Sequence, residues 1–412
     1  MRILFVVILL DLMGVGIFNP VFPYFSKSLG APDSVVTIIA ALYALGSFIM
    51  APVWGRLSDK WGRRPILIIS QVGAVITWVV IAFTTDLAWL AVVRFVGGLF
   101  AGNLGAAFAY ITDITTPQNR TKGMGMVGAA LSLGFIIGPL VGGFLAGTDK
   151  TNANFEFIAL FCAGMNFLAL MATVFFLPES LTAEAREKIK NRPSKSRWEQ
   201  FGSVRARRGL LLLFVAAMVF TTGGVVFEST FALWTMHTLD FGPRQVGTML
   251  AFAAVIMVLM QMFVVGRLAK RFGELKLTIA GCALYALGLA LVITSIYTPA
   301  ITIPGLITAP IGLFIAQIFL PMGLATFNPS VSSLVSKEAA DTERGMVMGL
   351  YQSVGSLGRA IGPLFSGFLI TVLLPGPFLY GIGAMVVAAM LVLVVRAKAA
   401  VPATAVPASA PQ

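Results

Sequence analysis

Long apolar blocks recur along the whole chain, each about 20 residues long and separated from the next by a short polar connector. An apolar helix of about 20 residues spans the hydrocarbon core of a bilayer, which is ~30 Å thick. Only 11% of the 412 residues are charged and the mean hydropathy is +0.91, whereas soluble domains carry about a quarter charged residues. The pattern excludes a water-soluble domain and predicts an all-α integral membrane protein.

The blocks predict about twelve transmembrane helices. The first block, from Ile3 to Phe25, contains Asp11 and Pro20 and has no small-residue cleavage site, which favours a first span over a signal peptide. The predicted spans cover residues 4–26, 35–55, 65–84, 88–112, 123–146, 156–177, 210–236, 245–266, 276–296, 304–334, 345–371 and 375–395.

The Lys and Arg residues are distributed unevenly over the connectors. If the N-terminus is cytoplasmic, most of the 29 lie on the cytoplasmic side, and only Lys27, Lys150 and Arg244 lie on the outer side. The positive-inside rule therefore predicts a multi-pass protein of the cell (inner) membrane with both termini in the cytoplasm. This topology and attraction to anionic lipids account for the net charge of +12, so no nucleic-acid partner is required.

Sequence landmarks recur in the two halves of the chain in the same order. Gly55–Arg64 closes the second span and the similar Gly266–Gly273 closes the eighth, while Gly-Pro pairs at 138–139 and 362–363 lie in the fifth and eleventh spans. Such repeats are typical of transporter folds. They predict a six-helix bundle over 1–177, a basic cytoplasmic linker over 178–209, a second six-helix bundle over 210–396, and a disordered cytoplasmic tail over 397–412.

The residues that usually perform covalent chemistry are scarce. Cys162 and Cys282 lie in separate spans without metal-ligand spacing, and His237 is the single histidine. No metal site or hydrolytic triad can be built from this set, so we expect neither an enzyme nor a bound metal or cofactor.

Four segments carry recognisable signatures: Asp11–Pro20, Gly55–Arg64, Arg94–Gly102 and Gly134–Gly143. Together they resemble the signatures of the major facilitator superfamily, and they are similar to its twelve-span drug:proton antiporters, which include the bacterial tetracycline and quinolone exporters. The resemblance covers nearly the whole chain. It implies a carrier that works by alternating access, driven by a proton gradient, and we expect it to be a monomer surrounded by membrane lipids.

The Gly55–Arg64 segment is expected to form a gating loop at the inner surface. Its glycines permit a tight reversal and its basic residues bind lipid phosphate. The resemblance implies that Asp59 contacts a helix end of the opposite half and closes the cytoplasmic side; the alternative is a turn that only sets topology. The predicted network consists of Gly55, Arg56, Asp59, Gly62, Arg63, Arg64, Asp113 and Arg120.

The fifth span carries small residues at helical spacing, which are typical of helix packing surfaces in membranes. A proline within it removes one helical hydrogen bond and bends the span. The residues predicted to form the sliding contact are Gly134, Gly138, Pro139, Gly142 and Gly143.

Four charged residues lie within predicted spans: Asp11, Arg94, Glu228 and Arg359. Each must face water or another charge, because a lone ion in hydrocarbon is costly. Proton coupling needs a carboxyl group that is protonated in one state and ionised in another, and Glu228 fits best, with Asp11 second. The sequence around Glu228 also resembles the glutamate-bearing seventh span of quinolone exporters. A static ion pair between Glu228 and Arg359 is the alternative, and Arg94 either tunes a neighbouring acid or holds a helix in place.

The substrate cavity is expected among the first, fourth, seventh and tenth spans. A lining of aromatic and amide side chains suits amphipathic molecules, although each aromatic residue can instead be packed core or face lipid. The candidates are Asn19, Tyr43, Asn103, Tyr110, Phe227, Phe231, Trp234, Gln261, Gln317 and Asn328. The favoured hypothesis is a proton-coupled exporter of drug-like compounds. The alternatives are a flippase for lipid or lipid-linked sugar, a proton-coupled nutrient symporter, and a non-transporting membrane sensor.

Overall fold

The computed structural model describes residues 2–101, 104–116, 119–150, 153–182, 186–187, 207–339 and 344–399. Within these residues, eleven helical stretches are long and apolar enough to cross a membrane, or twelve if a first pair, bent by 46°, forms one span. The predicted all-α membrane fold with about twelve spans is confirmed. The helices are α1 (Arg2–Phe18), α2 (Phe22–Ser28), α3 (Asp33–Trp61), α4 (Arg63–Ala82), α5 (Leu87–Phe100), α6 (Leu104–Ile114), α7 (Arg120–Ala146), α8 (Phe155–Phe176), α9 (Arg208–Thr238), α10 (Pro243–Leu259), α11 (Val265–Phe272), α12 (Glu274–Thr294), α13 (Ile311–Glu338), α14 (Arg344–Val372) and α15 (Gly376–Ala399).

The helices pack in two groups that follow the chain. Helix α1 packs on α7 and α8, α3 on α5, and α4 on α8, and we call α1–α8 the N-terminal bundle. Helix α9 packs on α14 and α15, and α12 packs on α13 and α15, and we call α9–α15 the C-terminal bundle. Most of the predicted linker over 178–209, and the predicted tail beyond Ala399, lie outside the described residues.

The two bundles meet through α7 against α10 and through α3 against α14. Glycines make both approaches possible. A side chain at Gly247 of α10 would place its first carbon 2.3 Å from the carbonyl oxygen of Pro139 and 2.9 Å from the Cα of Gly143. One at Gly367 of α14 would lie 2.0 Å from the hydroxyl of Thr37. A Cβ atom at either position would clash with the opposite bundle, so both contacts need glycine.

The glycines predicted in the fifth span have two different partners. A first side-chain carbon at Gly142 would lie 1.9 Å from the carbonyl oxygen of Ile17, and the corresponding atoms at Gly134 and Gly138 would also meet α1. These residues therefore pack helices within the N-terminal bundle. Of these four glycines, Gly143 alone faces α10 of the other bundle.

Most of the Gly55–Arg64 segment is helical, although its two glycines predicted a loop. Helix α3 continues through Gly55 to Trp61, and the reversal occurs at Gly62, whose φ is +111°. A single residue with positive φ is enough to end one helix and start the next. The expectation that Gly55 is needed for the reversal is therefore corrected, since it lies inside the helix with open space around it.

The tenth span begins later than the sequence pattern suggested. The strands β1 (Ala300–Ile303) and β2 (Ile307–Pro310) form an antiparallel hairpin, and α13 begins only at Ile311. Alternating Ile and Thr residues favour strands, and Gly305, with a φ of +73°, allows the turn between them. The apolar character of the turn and of β2 made residues 304–310 part of the predicted span.

Candidate functional site

A cavity of about 290 Å³ lies in the N-terminal bundle and reaches Arg359 of the C-terminal bundle. Faces of α1, α4 and α5 form its long walls, and α3, α6, α7 and α8 contribute the rest. We call it the N-terminal cavity. It includes three of the four charged residues predicted in the spans, together with aromatic, hydroxyl and amide side chains: Asp11, Tyr43, Ser47, Ser70, Gln71, Thr77, Trp78, Arg94, Asn166 and Arg359.

Arg94 is held by aromatic rings on its neighbouring helices. Its guanidinium carbon lies 4.5 Å from the ring centre of Tyr43 and 4.7 Å from that of Phe22. A cation over an aromatic face is attracted by about 0.5–2 kcal/mol, with the larger values at desolvated sites. Arg94 thus fixes α5 against α2 and α3, which supports a positioning role for it.

Glu228 lies on α9 beside a smaller cavity of about 40 Å³ whose other wall comes from the N-terminal bundle. Its side chain is exposed to open space rather than packed. The carboxylate interacts with the side-chain amide of Asn19, which precedes α2 and lines the same cavity. The acid predicted to carry the proton therefore stands at the junction of the two bundles.

Arg359 attracts Glu228 electrostatically but does not touch it. In the described part of the chain, no nitrogen of Arg359 lies within 4.0 Å of a Glu228 oxygen. The Arg359 Nη2 instead donates a hydrogen bond to the Ser356 hydroxyl at 3.0 Å. Glu228 lines the small cavity and Arg359 lines the N-terminal cavity, and the two side chains do not form the static ion pair that was the alternative prediction from the sequence.

A charge cluster surrounds Arg63 at the start of α4. Its guanidinium contacts the carboxylates of Asp59 at 2.5 Å and Asp113 at 3.0 Å, and it donates a hydrogen bond to the Ser58 hydroxyl at 2.9 Å. We call this side of the molecule the Arg63 end. The cluster joins α3, α4 and α6 of one bundle, and in this conformation Asp59 is paired with Arg63 rather than with the opposite half.

Glu179 completes the Arg63 end and was not foreseen. Its two carboxylate oxygens accept hydrogen bonds from the backbone N–H groups of Arg63, at 2.9 Å, and Arg64, at 3.1 Å. Glu179 therefore caps the positive N-terminal end of α4. The Arg64 side chain donates to the carbonyl of Val174 at 2.6 Å. Arg56 is exposed, and the side chain of Arg120 is not among the described ones.

The opposite side of the molecule, which we call the Asp33 end, holds the two bundles together. The Tyr24 hydroxyl donates to the carbonyl of Phe241 at 2.8 Å. The Nε2 atom of His237 lies 2.9 Å from a carboxylate oxygen of Asp33. Further contacts between the bundles are a salt bridge from Lys150 to Asp240 and a hydrogen bond from the Arg244 N–H to the Gly147 carbonyl.

Several residues predicted for the cavity have other surroundings. Asn19 and Phe231 line the small cavity and Tyr43 lines the N-terminal cavity. Tyr110, Phe227, Trp234 and Gln317 are buried, and Tyr110 donates to the carbonyl of Pro178 at 2.8 Å. Gln261 and Asn328 are exposed, and Asn103 lies outside the described residues.

Gln71 and Asn166 are cavity residues that the sequence argument missed. Both are amides inside apolar spans, and this was a usable signal because polar groups in membrane helices usually face a partner or a cavity.

In the described residues, no group of three or more His, Cys, Asp or Glu side chains has an arrangement that could hold a metal ion.

Comparison with known proteins agrees with this architecture. The chain matches the profile of the Major Facilitator Superfamily over residues 4–318 and 226–411. It is 28% identical to Multidrug resistance protein 2 of Bacillus subtilis (strain 168), with 94% of this chain and 92% of that protein covered. It is 32% identical to the class C tetracycline resistance protein of Escherichia coli, with 86% and 85% covered.

Two further proteins extend the comparison. The Quinolone resistance protein NorA of Staphylococcus aureus (strain MRSA252) is 25% identical, with 95% of both chains covered. The crystal structure of the nucleoside transporter NupG superposes with a TM-score of 0.76 at 15% identity, over 96% of this chain and 98% of that one. At that identity the superposition establishes the fold alone.

The family match and the relatives, together with the spans, define a multi-pass membrane protein that transports small molecules and is not an enzyme. The chain belongs to the Major Facilitator Superfamily.

Proposed function

We propose that the protein exports amphipathic, drug-like compounds in exchange for protons, by alternating access between the two bundles. The observation that carries this proposal is the position of Glu228. Its carboxylate belongs to the C-terminal bundle, is open to space and interacts with Asn19 of the N-terminal bundle. Gain or loss of a proton at this position changes a contact between the bundles, and so biases their relative arrangement.

The nature of the transported compound is proposed from the cavity lining and from the relatives. Aromatic walls with a few polar groups suit amphipathic organic molecules. The relatives are named for resistance to multiple drugs, tetracycline and quinolone. In this proposal Asp11, Arg94 and Arg359 support substrate and proton binding, and the proton gradient drives transport by a single chain without a cofactor.

Orientation and gating belong to the same proposal. The Arg63 end carries the basic connectors and faces the cytoplasm of a cell (inner) membrane, where those residues contact lipid phosphate. The structure, joined at the Asp33 end, then corresponds to a carrier closed on its outer side. When the carrier reverses, Asp59 moves to a helix end of the opposite bundle and closes the cytoplasmic side.

Transport into inverted membrane vesicles tests the function directly. A panel of dyes, quinolones and tetracyclines should accumulate when the vesicle interior is acidified, and accumulation should collapse when the pH gradient is removed. Accumulation that is unaffected by the gradient would refute proton coupling. Reporter fusions test the orientation separately, because a reporter after Pro193 should be cytoplasmic and one near Asp149 should be external.

A further inference from the structure

Two amide side chains on the wall of the N-terminal cavity are buried and incompletely hydrogen-bonded. Gln71 on α4 and Asn166 on α8 are each 1% exposed, and both line this cavity. In the described part of the chain, neither the Oε1 atom of Gln71 nor the Oδ1 atom of Asn166 has a hydrogen-bond partner. An unpaired buried acceptor destabilises the protein. A hydrogen-bond donor that enters the cavity and reaches these oxygens would therefore be bound favourably.

The protein itself fixes the orientation of the Asn166 amide. Its Nδ2 atom donates a hydrogen bond to the carbonyl oxygen of Cys162 at 3.1 Å, so the amide is held on the cavity wall while its oxygen has no hydrogen-bond partner in the described residues. Gly14 of α1 makes room for this amide, because a first side-chain carbon at Gly14 would lie 2.5 Å from the Asn166 Nδ2. A close helix contact and a backbone hydrogen bond thus hold an acceptor in place.

The surrounding groups also present acceptors next to aromatic surface. The hydroxyls of Ser70 and Thr77 donate to backbone carbonyls, so only their lone pairs remain for the cavity. Asp11 adds a carboxylate, and the rings of Trp78 and Tyr43 form part of the wall. This chemistry favours an aromatic ring that carries N–H or O–H donors.

We propose that the N-terminal cavity is a subsite for one end of the transported compound. This end is an aromatic ring with an amine or hydroxyl group, and that group donates hydrogen bonds to the side chains of Gln71 and Asn166. Its volume of about 290 Å³ is at the lower limit of the ~300–1,000 Å³ usual for ligand pockets. The cavity therefore accepts one end of a drug-sized compound, and the remainder extends towards Arg359 and the space between the bundles. The inference rests on the proposed function, whose substrate class it defines more closely.

Two dyes provide a matched pair of probes. Proflavine and acridine orange share one planar cationic ring system, but proflavine carries amino groups where acridine orange carries dimethylamino groups without N–H donors. Binding to the purified protein is measured by fluorescence anisotropy in detergent, without a pH gradient. The wild-type protein should bind proflavine more tightly than acridine orange.

Gln71→Leu and Asn166→Leu remove the acceptors at nearly constant side-chain size. Each should weaken proflavine binding about five- to tenfold, as expected for one net hydrogen bond, and leave acridine orange within about twofold. Thr173→Val is the control, because Thr173 is a fully buried polar residue of α8 that does not line the cavity. It should leave the preference for proflavine unchanged.

Each leucine variant removes one acceptor, so either of them tests the subsite if the other does not fold. Gln71→Glu keeps an acceptor at position 71 and should retain the preference for proflavine. A ring with hydroxyl groups in place of the amines separates the two kinds of donor. If proflavine alone binds more tightly than acridine orange, the amine is the recognised donor. If the hydroxyl compound binds as tightly as proflavine, the subsite accepts any N–H or O–H group.

Equal loss of both dyes in the leucine variants, no loss of either, or no wild-type preference for proflavine would overturn the subsite, and the cavity would then hold water only. These outcomes do not depend on proton coupling. If the wild-type protein prefers proflavine in this way but the pH gradient drives transport of neither dye, the proposed function fails while the subsite stands.

Discussion

The imidazole Nε2 of His237 lies 2.9 Å from the carboxylate of Asp33, across the boundary between the two bundles. The other oxygen of that carboxylate lies 2.5 Å from the ammonium group of Lys27. The nearby charges at this end are the Lys150–Asp240 bridge and Arg244. His237 is 39% exposed on its side chain, so this contact between the bundles lies at the surface of the Asp33 end.

Removing the imidazole of His237 should loosen the bundles at the Asp33 end. His237→Ala leaves the Asp33 carboxylate with Lys27 alone among the described residues, and it should lower the ratio of closed to open molecules about two- to fivefold, the range expected for a partly exposed polar pair. Distances between spin labels at Ser28 and Ile301 report this ratio.

The matched variants separate the histidine from the other bridge. His237→Gln keeps a polar side chain at this position and should retain more of the closed fraction than His237→Ala. Asp240→Asn breaks the bridge to Lys150 and should lower the closed fraction independently of His237. An unchanged distance distribution in His237→Ala would show that its contact with Asp33 does not hold the bundles together.

Arg63→Ala should destabilise the protein far more than Arg56→Ala. Arg63 is 7% exposed on its side chain and contacts two carboxylates and a hydroxyl, whereas Arg56 is exposed and, within the described residues, bonds to the carbonyl of Pro52 alone. Loss of charge-assisted hydrogen bonds costs about 1–3 kcal/mol. The melting temperature in detergent should therefore fall by several degrees for Arg63→Ala and stay nearly constant for Arg56→Ala.

Gly247→Ala should separate the bundles at the Asp33 end. The added methyl group would lie 2.3 Å from the Pro139 carbonyl oxygen, although alanine is intrinsically better than glycine in a helix by about 1 kcal/mol. Gly266→Ala in the same span is the control, because nothing lies within 4 Å of its position. The spin-label distances should shift to longer values only in Gly247→Ala, and an unchanged distribution there would count against this contact.

The sequence predicted what depends on local composition. The length of the apolar blocks predicted the spans, and charged residues within those spans indicated Asp11, Arg94 and Glu228 as functional candidates. Both predictions work because polar groups are costly in hydrocarbon. The hairpin from Ala300 to Pro310 was not predicted, because an apolar strand and the apolar end of a helix have the same composition.

Contacts between the bundles could not be predicted from the sequence. His237 and Asp33 are 204 residues apart, and their meeting depends on how the bundles lie in this conformation. The same holds for Asp59, whose partner here is Arg63 and whose proposed partner belongs to the reversed state. Local pattern fixes which residues bear charge, while the packing of whole bundles decides which of them meet.

Glu228→Gln should abolish proton-driven accumulation and spare downhill exchange. Glutamine has the shape of the protonated acid and can keep the interaction with Asn19, but it cannot release a proton, so the gradient loses its point of action. Asp11→Asn should instead weaken transport of cationic dyes more than neutral ones, because it removes an attraction that a neutral compound never used.

The control for Glu228→Gln is Glu274→Gln. Glu274 is also an acid of the C-terminal bundle, but it is bridged to Lys337 and lines neither cavity. This variant should keep gradient-driven transport, since its carboxylate does not face the boundary between the bundles. Gradient-driven and downhill transport of one cationic and one neutral dye, measured in reconstituted vesicles, distinguish all three variants. Full gradient-driven accumulation by Glu228→Gln would remove Glu228 from the mechanism, because a group that cannot be ionised cannot carry the proton across.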